Sequence, residues 1–511
     1  MAEQVDAVVV GLGAGGENVA GRLADAGLDT VGVEQRLVGG ECPYWACIPS
    51  KIMVRAGNLV AEGHRIPGMA GTAMVQEDWR PVARNIREAT AGWDDRAAVD
   101  RLTSRGVRFL RGTGRLTAPG EVTVEDPEGR ETVLWPTRAI VIGVGTEPSI
   151  PPLPGLAGTP YWTSREAIEA ERAPSSLLVL GGGPAGLELG QAFSRFGTAV
   201  TVVEAAPRLL SREEPEADEV LMRVLTAEGL EIHTGAVASR VGYTEAARQP
   251  DRSRQAVASV PPNPTVPPTP LSAVLSGHPG LLSPPELANS GGTGFTLLCE
   301  RGERFFAERL LVTTGRRADL ARIGASVLGV DPSVSFLPVD ERMRVVPASG
   351  SRPGVWALGD VTGKGAYTHM SMYQADLVVR GILGEGGPPA AYHAVPRVTF
   401  TDPEVGAVGM TEAEAKEQGL PVMVGRADIA ASGRGLIHRS GNEGFVKLVA
   451  DSMRQVLVGA TSVGPTGGEV LGALTVAVHA RVPLDTLGGM IWAFPTFHRV
   501  VADALADLRA V

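Results

Sequence analysis

Cysteine is nearly missing from this chain, with three in 511 residues. So few exclude a secreted protein held together by a disulfide framework. A basic excess is missing as well. Lys and Arg number 47 against 57 Asp and Glu, a net charge of −10, which leaves a broad nucleic-acid interface no electrostatic footing. Single nucleotides held in a cleft remain compatible with that charge. The N-terminal stretch MAEQVDAVVVGLGAGG has no basic flank, and its short apolar run leads straight into a glycine loop. That pattern belongs to a buried strand rather than to a signal peptide or a membrane span. These absences predict a cytoplasmic protein with no membrane span and no nucleic-acid partner. A chain of 511 residues is too long for one core, and roughly two to four domains are expected.

What is present is a glycine loop, twice. VDAVVV has strand length and precedes Gly11-Leu12-Gly13-Ala14-Gly15-Gly16. ENVAGRLADAG follows with helical spacing, and the apolar run LDTVGVE ends at Glu34. In that order Gly11 permits the tight turn, Gly13 lets backbone approach a pyrophosphate, and Gly16 lets helix pack on strand. The helix N-terminus faces the phosphates and Glu34 accepts from a ribose hydroxyl. The unit recurs as SLLVL, Gly181-Gly182-Gly183-Pro184-Ala185-Gly186, the helical LELGQAFSRFG, and AVTVVE ending at Glu204, with Gly181, Gly183 and Gly186 in the three glycine roles. Gly16 to Glu34 and Gly186 to Glu204 span the same 18 residues. Two dinucleotides are therefore expected, which one electron donor and one bound acceptor would explain. An acid at Glu204 favours a free 2′-hydroxyl over a 2′-phosphate, so NAD(H) is favoured. Arg208, four residues on, keeps NADP(H) open.

Three further strand ends read as walls of the same sites, or as plain strand-to-loop exits. They are AIVIGVGTEPSIPPLPG with Gly145, LLVTTGRRAD with Gly315, and GVWALGDVTG with Gly359 and Asp360, whose carboxylate suits a ribityl hydroxyl.

Two of the cysteines, Cys42 and Cys47, lie in GGECPYWACIPSK. A metal clip, a structural staple and a redox pair all remain open on that spacing. A metal needs further ligands, and no second cysteine or histidine cluster lies nearby. Residues five apart on a regular helix are about 8–9 Å apart, whereas a disulfide needs Cα atoms within about 4.4–6.8 Å. If the two are bridged, the segment between them is not a plain helix. Pro43 breaks regularity there, and Pro49 suits the first turn of a helix running through Ser50 to Met53. Cys47 then lies near a helix N-terminus, which stabilises its thiolate. Cys299, alone in FTLLCERGE, reads as a small buried hydrophobe.

The two glycine loops, GGECPYWACIPSK, TGRRAD, GVWALGD and TDPEVGAVGMTEAE (401–414) together resemble the pyridine nucleotide-disulfide oxidoreductases of the glutathione reductase and dihydrolipoamide dehydrogenase type. The likeness runs from residue 7 to near the C-terminus. It implies an α/β fold with two Rossmann-like dinucleotide-binding domains and a C-terminal α+β interface domain. The FAD domain (1–155 and 318–393) is split by an NAD(P) domain (156–317), and the interface domain (394–511) makes a homodimer. FAD is implied in the first glycine site and the nicotinamide in the second, with Cys42 and Cys47 a redox disulfide against the flavin. Cys42 matches the interchange thiol that attacks the substrate, and Cys47 the thiol beside the flavin. Lys51 matches the lysine near the flavin's reactive nitrogen, and Glu188 its acidic partner. Outside these motifs Lys51 and Glu188 read as ordinary surface residues.

The chain also departs from that pattern. Relatives carry a C-terminal histidine and glutamate, the histidine serving the partner subunit as acid-base for thiol exchange. Here Phe494 stands for the histidine and Arg499 for the glutamate, and neither can do that work. His498 is the candidate substitute, or else a polar interface histidine. Trp492, Phe494 and Phe497, with Tyr44 and Trp45, are expected to form an apolar wall over the cysteines that suits a large apolar or aromatic acceptor. Residues 243–293, rich in proline, glycine and serine, read as a surface excursion, with docking through its proline runs as a lesser reading. Three functions follow: an NADH-driven disulfide reductase, a quinone or other apolar-acceptor reductase whose cysteines only poise the flavin, and a non-catalytic flavoprotein subunit. Mercuric ion reduction is disfavoured, because relatives performing it carry a C-terminal cysteine pair and no cysteine follows Cys299.

Overall fold

The computed structural model describes residues 2–245, 293–347 and 353–510. In it the apolar run before the first glycine loop is the strand Ala2–Val10. Its side chains alternate between two cores, Val8 and Val10 entering one and Ala7 and Val9 the other, as a strand covered on both faces requires. Ala2–Val10 pairs in parallel with Thr30–Glu34 and with Glu131–Ile142, and Arg108–Arg111 extends the sheet. The strands Thr113–Ala118 and Glu121–Glu125 add antiparallel to one end of Glu131–Ile142. At its other end Gly354–Ala357, far later in the chain, returns in parallel.

Six helices bear on the site. They are α1 (Ala14–Asp25), α2 (Glu41–Tyr44), α3 (Cys47–His64), α4 (Ser164–Ile168), α5 (Pro184–Ser194) and α6 (Thr368–Leu383). The first follows the first glycine loop, and α5 follows the second.

A second parallel sheet runs Glu231–His233, Ala199–Val203, Ser176–Leu180, Arg309–Val312. Beside it lies a three-stranded antiparallel sheet of Ala238–Thr244, Gly294–Cys299 and Arg304–Ala307. Cys299 is buried there among Val241, Leu297 and Val312. The two crossings between the first and second sheets pair with each other, Glu147–Pro148 against Arg316–Arg317. The proline-rich stretch near 243–293 falls almost wholly outside the described residues. Among those residues, no helix is long and apolar enough to cross a membrane.

A third, antiparallel sheet of six strands holds Pro396–Thr399, Glu404–Gly409, Val456–Gly464, Phe445–Asp451, Val422–Asp428 and Arg509–Ala510. Buried ion pairs fasten it to the second sheet's helices. Lys447, with a side chain 3% exposed, reaches Glu214 and Glu216 there at 3.0 and 2.7 Å, and Glu412 of its own region at 2.8 Å. Arg195 at the end of α5 reaches Asp402 at 2.8 Å. Such pairs persist because losing one partner leaves the other charge buried and unpaired.

Candidate active site

The two glycine loops share one local design. Gly11 and Gly181 adopt φ of +90° and +112°, and a Cβ at either would lie 2.6 Å from backbone atoms of Gly143 or Thr313. Left-handed backbone and close approach together leave glycine the fitting residue there. Gly16 packs against the carbonyl of Gly11, and Gly186 against that of Gly181, so closely that a Cβ would sit 2.0 and 2.2 Å away. At Gly13 and Gly183 a Cβ would meet nothing within 4 Å, which is the open space a phosphate needs. Each strand-end acid folds back onto its own loop. Glu34 accepts the N–H groups of Leu12 and Arg36, both at 2.8 Å. Glu204 accepts those of Gly182 and Ala206 at 2.5 and 2.6 Å.

The surroundings of the loops differ. The first opens into a cavity of about 1340 Å³ that also reaches Gly145, Asp360, Lys51 and both cysteines. That exceeds the roughly 300–1,000 Å³ of an ordinary ligand cleft, and a lining that includes both the first glycine loop and the two sulfurs suits a dinucleotide such as FAD. The second loop meets this cavity only at Pro184 and Ala185, and neither Glu204 nor Gly315 lines it. Burial pushes the Glu34 carboxyl above its ordinary value, against the pull of the Arg36 and Leu12 N–H groups. Burial likewise raises Asp360, opposed by Arg316 and by the Thr146 hydroxyl that donates to it at 2.9 Å. Gly359 donates its N–H to Gln374 at 2.6 Å, and Gly315 accepts from Ser149 at 2.8 Å. Arg208 is turned away from Glu204, donating to the carbonyls of Glu213 and Ser211 at 2.8 and 2.6 Å.

The cysteine segment is a broken helix. One turn, α2, carries Cys42; the chain kinks at Trp45 and Ala46; Cys47 then opens α3. Both cysteines are half-buried free thiols. The Cys47 Sγ lies 3.3 Å from the hydroxyl of Thr368, the first residue of α6, so two helix N-termini bear on that sulfur and favour its thiolate. The Cys47 thiol is lowered to about 6, first by the hydrogen bond from Cys42, then by Thr368 and Lys51 against the cost of burial. Cys42 is pushed up, because it holds the proton that it shares with Cys47 and because it is buried.

Lys51, one turn into α3, pairs with Glu188 of α5 at 2.6 Å. The other Glu188 oxygen accepts the Phe400 N–H at 2.8 Å, and the Lys51 ammonium lies 4.5 Å over the Phe400 ring. Glu188 is 5% exposed and Lys51 half-buried at the cavity wall, so the acid of the pair is not the ordinary surface residue its type alone suggests.

The expected aromatic wall is corrected in two places. Phe497, 9% exposed, packs in the core of the third sheet with Val500 and Val501. Tyr44, 7% exposed, turns inward, and its carbonyl accepts from Trp93 at 3.3 Å. Each lies on the inner face of its turn, which a run of aromatics in sequence does not reveal. Trp45 does line the cavity, and Phe494 is 75% exposed. His498 sits in a short 3-10 turn with its ring 6.0 Å from that of Trp492 and does not line its own chain's cavity. Arg499 pairs with Asp503 at 2.8 Å.

Sequence reasoning passed over a set of ionic residues in the cavity wall: Arg36, Glu41, Glu147, Arg165 and Arg316. Glu41 contacts Arg165 and Arg316, Glu147 contacts Arg36 and Arg165, and Arg316 approaches Asp360. Glu41 and Arg316 sit inside motifs already noted, whereas nothing in the spacing around Arg165 marks it.

Two glycine loops of one design, with a thiol pair and a lysine–glutamate pair between them, make an arrangement suited to a nucleotide-linked redox enzyme. Residues 5–254 match the pyridine nucleotide-disulphide oxidoreductase family, and residues 395–505 match its dimerisation domain. Over 99% of its length the chain is 30% identical to dihydrolipoyl dehydrogenase of Chlorobaculum tepidum, covering 97% of that protein. It is 31% identical to the dihydrolipoyl dehydrogenase of Thermus scotoductus, again over 99% of this chain and 97% of the other. Mercuric reductase of Acidithiobacillus ferrooxidans is 27% identical over 97% of this chain and 81% of its own. In fold the chain is similar to the Cu(II) complex of the HOCl-induced flavoprotein disulfide reductase RclA from Escherichia coli (TM-score 0.77, 22% identity, 99% of both chains). It is also similar to LpdA from Mycobacterium tuberculosis (TM-score 0.78, 20% identity, 99% of both chains). The protein belongs to the pyridine nucleotide-disulphide oxidoreductase family. It is accordingly an FAD-dependent, nicotinamide-linked oxidoreductase with a C-terminal dimerisation region.

Proposed function

We propose that this enzyme carries electrons from NADH through FAD to the Cys42–Cys47 pair and on to a disulfide or another acceptor. The observation that carries the reading is the thiol pair itself, on a broken helix inside the cavity of the first glycine loop, with Lys51 and Glu188 beside it. A bound FAD supplies two-electron transfer between nicotinamide and sulfur. Gly11, Gly13, Gly16, Glu34, Gly145, Gly359 and Asp360 are assigned to hold it, and Gly181, Gly183, Gly186, Glu204 and Gly315 to hold the nicotinamide nucleotide. NADH is favoured over NADPH because Glu204 repels a 2′-phosphate and Arg208 is committed to backbone carbonyls.

Reduction of the Cys42–Cys47 bond takes two electrons and one proton at neutral pH, leaving a thiolate on Cys47 and the proton on Cys42. Once deprotonated, Cys42 attacks the acceptor disulfide, forming a mixed disulfide and releasing one thiolate. Cys47 then attacks the Cys42 sulfur, restoring the pair and releasing the second. Phe494 cannot take the Cys42 proton, and general acid-base help is worth roughly 10²–10⁴-fold. That loss favours a second reading, in which an apolar acceptor such as a quinone takes the electrons without thiol exchange and Trp45 forms part of its wall. We further propose a cytoplasmic homodimer with domain limits 1–155 with 318–393, 156–317 and 394–511. In it the C-terminal segment of one copy, with His498, completes the other's site.

Cys47→Ser separates the readings. Disulfide reduction falling to background while quinone reduction persists supports the relay. Both persisting unchanged overturns it.

A further inference from the structure

Cys42 rides on a helix of a single turn. The N–H groups of Trp45 and Ala46 both close on one carbonyl, that of Glu41, at 2.8 Å. A lone turn is not stable by its own hydrogen bonds, so contacts from outside set where Cys42 sits. Those that come from α4 and its ends, in the nicotinamide half of the chain, fall on the residues to either side, Glu41 immediately before it and Trp45 three residues after; Arg316 also pairs with Glu41 at 2.7 Å, and Trp93 donates to the Tyr44 carbonyl at 3.3 Å. Arg165 donates through Nε to Glu41 at 3.0 Å, its Nη2 contacts the same carboxylate, and its guanidinium lies 5.5 Å over the Trp45 ring. The Trp45 indole N–H donates to Glu169 at 2.7 Å. The anchor is itself fixed. A capping box of Thr163 and Glu166 fixes the start of α4, and Arg165 has a second carboxylate, Glu147, at 3.1 Å.

We propose that Arg165 is the positioning residue for Cys42, holding α2 by both ends so that the Cys42 sulfur stays within bonding reach of Cys47. The proposal rests on the reading of Cys42 and Cys47 as a redox pair. In a glutathione buffer the equilibrium is protein dithiol plus oxidised glutathione against protein disulfide plus two reduced glutathiones. A loosened α2 lowers the effective concentration of one sulfur at the other and shifts that balance toward the dithiol.

The test uses the FAD-loaded enzyme in glutathione redox buffers, counting alkylated thiols by mass, together with the rate at which iodoacetamide modifies Cys42 in the dithiol form. Arg165→Met is expected to lower the constant for disulfide formation about tenfold, a shift of about 30 mV, and to speed Cys42 alkylation about fivefold. Arg165→Lys, which keeps the charge opposite Glu41, recovers part of both. Should Arg165→Met fail to fold, Trp45→Phe reads the same quantities, with about a threefold change expected from losing the Glu169 bond. Values for the folded variants within twofold of wild type, or no recovery with lysine, overturn the proposal. Wild type that forms no Cys42–Cys47 bond in any buffer overturns the redox reading, and the proposal with it.

Discussion

The two glycine loops share a design and differ in depth. Each places a left-handed glycine at the turn, a third glycine against the first one's carbonyl, and an acid folded back on the loop's own N–H groups. The first is the floor of a deep cavity, and the second touches that cavity only at the start of α5. The same local design therefore sits in two different surroundings. Burial raises the Glu34 carboxyl, whereas Glu204 stands outside the cavity. The two halves meet where Lys51 of α3 joins Glu188 of α5.

The contrast breaks most visibly at the turn glycines. Gly11→Ala forces a Cβ to within 2.6 Å of the Gly143 backbone, and the variant is expected to purify without flavin absorbance. Gly181→Ala meets the Thr313 carbonyl equally closely but lies in the open cradle. It should retain its flavin and lose affinity for NADH by about 5- to 150-fold, the equivalent of about 1–3 kcal/mol of backbone strain. Steady-state KM and a flavin count on the two proteins check the pair. Flavin loss in both would show that the second loop is not a separate site.

A smaller effect is expected at the acids. Glu204→Gln keeps an oxygen for the Gly182 N–H and removes the charge facing a 2′-phosphate. The ratio of kcat/KM for NADH over NADPH should fall about tenfold, about 1.4 kcal/mol. Glu34→Gln should leave that ratio unmoved, because Glu34 lies in the other cradle.

The smallest effect is electrostatic. Above pH 6 the reduced pair carries a thiolate on Cys47, which is lowered to about 6. Lowering the pH through that point protonates the sulfur and slows its alkylation. Lys51→Met removes one of the groups that hold the thiol down, so the midpoint of the alkylation-rate profile should move upward by about one unit or less. A midpoint that stays in place would remove Lys51 from the thiol's surroundings.

The sequence made the glycines, the acids, the cysteine pair and its lysine legible because each answers a local constraint. A turn, a phosphate or a helix start requires a residue type at a fixed spacing. The start of α3 near Pro49 was readable from the sequence, whereas Pro43, expected to break regularity, lies inside the turn of α2 and the break falls two residues later, at Trp45 and Ala46. Phe497 and Tyr44 misled for the opposite reason, since whether an aromatic faces a cavity or a core depends on helix phase and on what packs behind it. Arg165 left no local mark because its partners Glu41 and Glu147 come from distant stretches of chain that only the crossing between two sheets brings together. His498, read as a possible acid-base, lies beside Trp492 and outside its own chain's cavity.

The most direct measurement is an anaerobic titration of the FAD-loaded enzyme with NADH, followed by alkylation under denaturing conditions and a thiol count by mass. One equivalent of NADH yielding two new thiols, at Cys42 and Cys47, is the result the relay predicts. Bleaching of the flavin with no new thiol at either position would contradict it and leave the cysteines as bystanders to electron transfer.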